Sequence, residues 1–171
     1  MDSSLGSFQA DTIRLEKYYG AIERAVAKAK ARNPFREAHV IDVGSGGGIL
    51  SMMAARAGAT SVLASEFSEA LCNASRVACA SNALSEKISI INRDACLLER
   101  GKGVRHSGLN VCVLDIFEAG LLGDNVMTII DHIKRNILQP DCIVVPAAAT
   151  VYAMGVECIT SKVSFNNVDK S

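Results

Sequence analysis

A doubly wound α/β fold, with a mostly parallel sheet covered by helices on both faces, is predicted for this 171-residue chain by three observations. Short apolar runs alternate with stretches of helical periodicity, the pattern of a parallel sheet built from βαβ units. One run, Val40-Ile41-Asp42-Val43, stops at the turn Gly44-Ser45-Gly46-Gly47-Gly48 and passes directly into Ile49-Leu50-Ser51. A second run closes on an acidic residue, Glu66. A strand that turns through alternating glycines into a helix, with a carboxylate ending the next strand, is how such a sheet receives a nucleoside-bearing ligand at its carboxyl edge.

The elements follow in order. From Thr12 to Arg32 the apolar positions Tyr18, Ile22, Ala25, Val26 and Ala29 recur at helical spacing, and Asn33-Pro34 supplies the stop. Val40 to Val43 reads as a strand, Ile49 to Ala57 as a helix ended by Gly58, and Ser61 to Ala64, leading to Glu66, as the second strand. Ser68 is placed to cap a helix running to about Ser81, with Glu69 in its first turn. Lys87 to Asn92 alternates as a third strand, and Val111 to Leu114 is a buried strand ending at Asp115. Val126, Ile129, Ile130, Ile133 and Ile137 mark the inner face of a helix, with Pro140 beyond it. Cys142 to Val145 and Thr150 to Val156 read as two final strands, and Glu99 to Gly108 as a polar surface loop. Residues 1–10 read as an N-terminal tail, 11–158 as one domain and 159–171 as a C-terminal tail.

Eighteen basic and eighteen acidic residues give no formal net charge, and there is no Lys/Arg block. The field that draws a protein to nucleic acid or to an acidic membrane is therefore not expected. The longest apolar stretch, Val144 to Val156, contains Pro146 and is too short to span a bilayer. Cysteines 72, 79, 96, 112, 142 and 158 lie among apolar neighbours and form no Cys-x-x-Cys pair, so neither a metal site nor a disulfide framework is expected. They fit small core residues in a reducing compartment, cytoplasmic and/or nuclear.

Spacing separates two cofactor classes. A dinucleotide fingerprint wants a small residue where Ile49 stands. The chain instead has Asp-x-Gly-x-Gly-x-Gly at Asp42, Gly44, Gly46 and Gly48, with Ser45 inside the turn. This resembles motif I of S-adenosylmethionine-dependent methyltransferases. Glu66 is placed to accept hydrogen bonds from both ribose hydroxyls. Asp94, after the third strand, has two readings: a contact to the adenine amino group, or a cap on the next turn.

Asp11-Thr12-Ile13-Arg14 with Tyr18-Tyr19, the Gly44 to Ser51 turn, Glu66, and Asp115-Ile116-Phe117-Glu118-Ala119-Gly120-Leu121-Leu122-Gly123-Asp124 together resemble the protein arginine methyltransferases. The closest look is to the branch that makes monomethyl or symmetric dimethylarginine, and the similarity runs from about Asp11 to Glu157. The resemblance implies a Rossmann-like class I methyltransferase fold, S-adenosyl-L-methionine as cofactor and an arginine-containing protein as substrate. It implies that Arg14 meets the carboxylate of the cofactor's methionine tail and that Tyr18 packs nearby. The family's two catalytic glutamates fall at Asp115 and Asp124, with Glu118 a third acid in the loop. For Arg14 a solvated helix-surface role stands beside the family's, and for Asp124 the alternative is an N-cap of the following helix. The family also implies a C-terminal β-barrel with a His-Trp pair, whereas the thirteen residues after Cys158 contain neither residue type. The chain therefore reads as a cofactor domain lacking the β-barrel. Three functions follow: an arginine methyltransferase, a weak or inactive partner forming homo- or hetero-oligomers with a related methyltransferase, or a small-molecule methyltransferase of the same fold.

Overall fold

The computed structural model describes residues 11–101, 103–104, 108–117, 121, 123 and 125–155. Helix α1 (Thr12–Arg32) opens on Asp11, whose carboxylate accepts from the Arg14 backbone N–H at 2.9 Å, and ends at Asn33 ahead of Pro34. Lys30 and Arg32 in its last turn complement the helix dipole. Strand β1 (His39–Val43) leads through the glycine turn into α2 (Ile49–Arg56), and β2 (Ser61–Glu66) into α3 (Glu69–Ser81), whose N-cap is Ser68. After β3 (Ile88–Asn92) a 3₁₀ turn spans Ala95–Leu97, and Glu99–Arg100 bridges to Gly103–Val104. Strand β4 (Val111–Leu114), helix α4 (Val126–Asn136) and strand β5 (Ile143–Val145) complete the described elements.

The main sheet has the order β3-β2-β1-β4-β5, and every neighbouring pair is parallel. Asp42 stands beside Ala64 on one side and Val113 on the other. Alternation along the strands divides the core in two. Val40, Val62, Ala64, Val111 and Val113 pack with Ile22, Val26 and Ala29 of α1, Leu50 and Ala54 of α2 and Cys79 of α3. Ile41, Val43, Leu63, Cys112 and Leu114 face the other way, onto Val126, Ile133 and Ile137 with Leu98 and Leu109. Ile22, Ile41 and Ile133 are all but sealed from water, each stabilising the domain by about 1.5–3 kcal/mol.

Two expectations are corrected. Thr150 to Gly155 carries no strand, with Val151 60%, Tyr152 90% and Met154 83% exposed. Its apolar run resembles a buried strand, but among the described residues no strand lies beside it to accept its hydrogen bonds, and Pro146 interrupts the donors after β5. Residues from Val156 on lie outside the described set. The segment from Glu99 to Gly108, read as a surface loop, contains the short bridge just given, which is too brief to leave a periodic signature.

Candidate functional site

The site is built where the parallel strands end. Gly44, Gly46 and Gly48 have φ of +69°, +51° and +83°, a region that side chains bearing a Cβ enter at a cost. Space forbids a side chain as well: a Cβ on Gly44 would run into Ile116, and one on Gly48 into the Ser75 hydroxyl. The turn is held from behind by Glu66, which is 4% exposed. One of its oxygens accepts from the Gly46 N–H at 2.9 Å and the other from the Ser68 N–H at 2.8 Å, so one carboxylate ties the glycine turn to the start of α3. Gly44 and Ser45 donate to the Ser65 carbonyl at 2.9 and 3.0 Å.

Asp42 lies beneath the turn, fully buried, and its Oδ2 accepts a hydrogen bond from the Ser51 hydroxyl at 2.5 Å. Burial pushes its carboxyl up to about 7, an effect that the Ser51 hydrogen bond opposes and that the charges of Asp115 and Glu66 reinforce. Just beyond the end of β4, Asp115 receives a hydrogen bond from Arg14 Nη2, an ion pair reaching across 101 positions of sequence. Tyr18, one turn after Arg14, donates to the Leu114 carbonyl at 3.0 Å. Burial raises its hydroxyl pKa, and the neighbouring Asp115 charge raises it further.

In front of these groups lies a cleft of about 670 Å³. Arg14, Gly44, Ser45, Gly46, Asp94 and Asp115 line it. Tyr18, Asp42, Gly48 and Glu66, also singled out in the sequence, stand behind its wall and shape it. Asp94 caps the 3₁₀ turn, its carboxylate accepting from the Cys96 N–H at 2.8 Å, while still bordering the cleft. Asp124 lies outside the described residues; the N-cap of α4 is Asn125, in the left-handed region at φ +58°. Among the lining residues not anticipated are Phe67, 76% exposed, Arg93, Cys96 and Asn125. The position of Phe67, directly after the acid that ends β2, is the sequence signal that would have found it.

Four buried side-chain atoms have no hydrogen-bond partner among the described residues: Asp42 Oδ1, Ser45 Oγ, Ser75 Oγ and Asp115 Oδ2. Ser45 and Asp115 belong to cleft-lining residues. A ligand that brings both donors and acceptors would satisfy them, and bare glycine backbone allows it close approach. These features fit a nucleoside carrying an amino-acid tail: Gly44, Ser45 and Gly46 would bear on the tail and sugar, Asp94 and Phe67 on the base, and Arg14 on the tail carboxylate.

The family model for ribosomal protein L11 methyltransferase (PrmA) matches residues 23–146, which include all five strands of the sheet and the glycine turn. Protein arginine N-methyltransferase 7 of Anopheles gambiae is 34% identical over 149 residues, covering 86% of this chain and 21% of that protein. The chain thus spans about a fifth of the length of the curated relatives it matches. Among solved structures, the crystal structure of PRMT6 aligns with a TM-score of 0.65 at 27% identity, over 84% of this chain and 46% of that one. The Trypanosoma brucei PRMT1 enzyme-prozyme heterotetrameric complex with AdoHcy shares the fold, with a TM-score of 0.57 at 24% identity over 71% of this chain and 37% of that one. With the glycine turn, the acid ending β2 and the winding of the sheet all inside the matched region, the chain belongs to the methyltransferase family that this model describes, and it is similar in sequence and fold to part of the protein arginine methyltransferases.

Proposed function

We propose that this domain binds S-adenosylmethionine at the carboxyl edge of its sheet and directs methyl transfer to a guanidinium nitrogen of a protein arginine. The observation that carries this reading is the cleft between the glycine turn and Asp115, where a buried hydroxyl and a buried carboxylate oxygen await partners. When bound, the cofactor supplies an electrophilic methyl on a sulfonium sulfur. The chain's own contribution is positioning and charge. Substrate arginine stays protonated up to very high pH, so an anionic acceptor at Asp115 draws its positive charge to one side and orients the nitrogen that gains the methyl and sheds a proton. Asp115 also fixes the distance of approach, and a misplacement of about 1 Å is enough to cost about a hundredfold in rate.

Binding of S-adenosylhomocysteine by titration calorimetry tests the cofactor site. Loss of the heat signal is expected in Gly46→Arg and in Glu66→Ala; unchanged affinity in both would end the reading. Label transfer from S-adenosylmethionine to an arginine-rich peptide tests the chemistry.

A second reading is favoured by one observation: the Asp115 carboxylate, shorter by a methylene than the family's glutamate, is already met by Arg14. A domain built this way serves a related enzyme as a weakly active or inactive partner, as the enzyme-prozyme pairing named for the trypanosome complex illustrates. Transfer that appears only when an active relative is added supports the partner role, and transfer by the chain alone supports the enzyme. The thiols of Cys72, Cys79, Cys96, Cys112 and Cys142 are all free, which supports a reducing compartment, cytoplasm or nucleus.

A further inference from the structure

We propose that Arg14 holds, in the cofactor-free domain, the position at Asp115 that a substrate guanidinium must take, so that the cofactor's carboxylate, by drawing Arg14 to itself, opens Asp115 to the substrate. This rests on the proposed function and adds an order of events to it. Arg14 and substrate arginine present the same group to the same carboxylate, and both cannot hold it at once. The Asp115 side chain is only 6% exposed, and a carboxylate so enclosed is costly without a cation beside it. Arg14 meets that need from the first turn of α1.

The grip is incomplete. Arg14 reaches Oδ1 through one nitrogen, Nη2, while Oδ2 is buried without a hydrogen-bond partner. A guanidinium that engaged both oxygens would form the stronger, two-pronged pair. Arg14 is also the more open member of the pair, its side chain 40% exposed and part of the cleft wall, so it is placed to exchange one carboxylate for another. Tyr18 lies beside both members of the pair and, through its hydrogen bond to the Leu114 carbonyl, ties α1 to the end of β4 while this happens. Cofactor and substrate then bind with positive coupling, and by linkage each strengthens the other by the same factor.

The test uses the whole chain, a short arginine-rich peptide and two nucleosides: S-adenosylhomocysteine, and 5′-methylthioadenosine, which has the same adenosine and sulfur but no carboxylate. In the wild type, S-adenosylhomocysteine should tighten peptide binding about tenfold, within the usual span of site-to-site coupling, and methylthioadenosine should not. In Arg14→Met the peptide should bind in the absence of nucleoside about as tightly as it does to the loaded wild type, with the S-adenosylhomocysteine effect reduced below about twofold. A second variant reads the exchange without peptide: Asp115→Asn should bind S-adenosylhomocysteine more tightly than the wild type and leave methylthioadenosine affinity unchanged. Equal tightening by both nucleosides, persistence of the tenfold effect in Arg14→Met, or weaker S-adenosylhomocysteine binding in Asp115→Asn would overturn the exchange. A wild type that binds S-adenosylhomocysteine but shows no effect on peptide sinks the exchange alone, whereas one that binds no S-adenosylhomocysteine sinks the proposed function as well.

Discussion

The two ends of the sheet carry cavities of similar size and opposite character. At the amino end a cavity of about 510 Å³ lies among Arg32, Glu37, His39, Asn110, Gln139 and Asp141. There the polar groups answer one another. Asn110 accepts from the His39 N–H at 2.9 Å and donates to the Glu37 carbonyl at 3.1 Å, and His39 meets the Ser61 hydroxyl at 2.8 Å and the Glu37 carboxylate at 3.2 Å. At the carboxyl end, the orphaned Ser45 Oγ and Asp115 Oδ2 sit at the cleft, with Asp42 Oδ1 and Ser75 Oγ close behind the turn. Volume alone would not tell the two apart. What distinguishes the ligand-receiving end is hydrogen-bonding capacity that the fold leaves unused, together with a glycine turn that leaves backbone bare of side chains.

The largest effect that would break this contrast comes from a side chain added to each end. Gly44→Val meets both a positive φ and the Ile116 side chain, each worth about 1–3 kcal/mol. S-adenosylhomocysteine affinity should fall at least about a hundredfold, two steps of 1.36 kcal/mol, with a lower melting temperature. Gly108→Ala at the amino end places its Cβ at 3.4 Å from Gln139 and 3.6 Å from His39, near ordinary contact, and should change affinity less than about twofold. A large loss in Gly108→Ala would erase the distinction.

Next is Glu66→Gln. One of the two backbone N–H groups that Glu66 accepts would face an amide NH₂ instead, leaving a buried donor unmet at about 1–3 kcal/mol. Calorimetry should show roughly tenfold weaker binding of S-adenosylhomocysteine, and urea melts a loss of stability of that order. Asn110→Ala should separate the two ends most clearly: stability falls by about 1–3 kcal/mol, because the His39 N–H and Glu37 carbonyl lose their partner, while cofactor affinity stays the same. Reduced affinity in that variant would show the ends to be coupled.

The last effect is a slope with pH. Asp42 has its carboxyl raised from 3.8 to about 7 in the folded state. Between those values the folded chain holds a proton that the unfolded chain has released, so this group makes stability fall as pH rises from about 4 to about 7 and adds nothing further above that. Asp42→Asn removes the titration. Urea melts at pH 5 and pH 8 should show the wild type losing on the order of 2–3 kcal/mol relative to the variant. Parallel pH profiles would sink the assignment of that proton to Asp42.

Local signals carried most of the architecture. Asn33-Pro34 marks the end of α1 at Arg32, and Ser68 with Glu69 marks the start of α3, because caps and breakers act within one turn. Strand positions followed from apolar runs bounded by glycine or an acid. Thr150 to Gly155, the described part of the expected last strand, failed the same criterion, since apolar content does not say whether a neighbouring strand exists to pair with among the described residues. The motif residues Gly44, Gly46 and Glu66 were legible one by one, yet not that Glu66 turns both oxygens onto backbone N–H groups of the turn and α3. The pairing of Arg14 with Asp115 could not be read at all: it joins the first described helix to the end of β4, and only the closed sheet brings them together.

The strand order has a consequence beyond this cleft. The chain lays down β1, β2 and β3 toward one side, then returns to place β4 and β5 on the other, so the segments leaving β1 and β4 diverge and a crevice opens between them. That opening is inherited from the winding path and owes nothing to the chemistry of the segments that border it. Substitutions among the border residues would change what the crevice can hold but not where it lies.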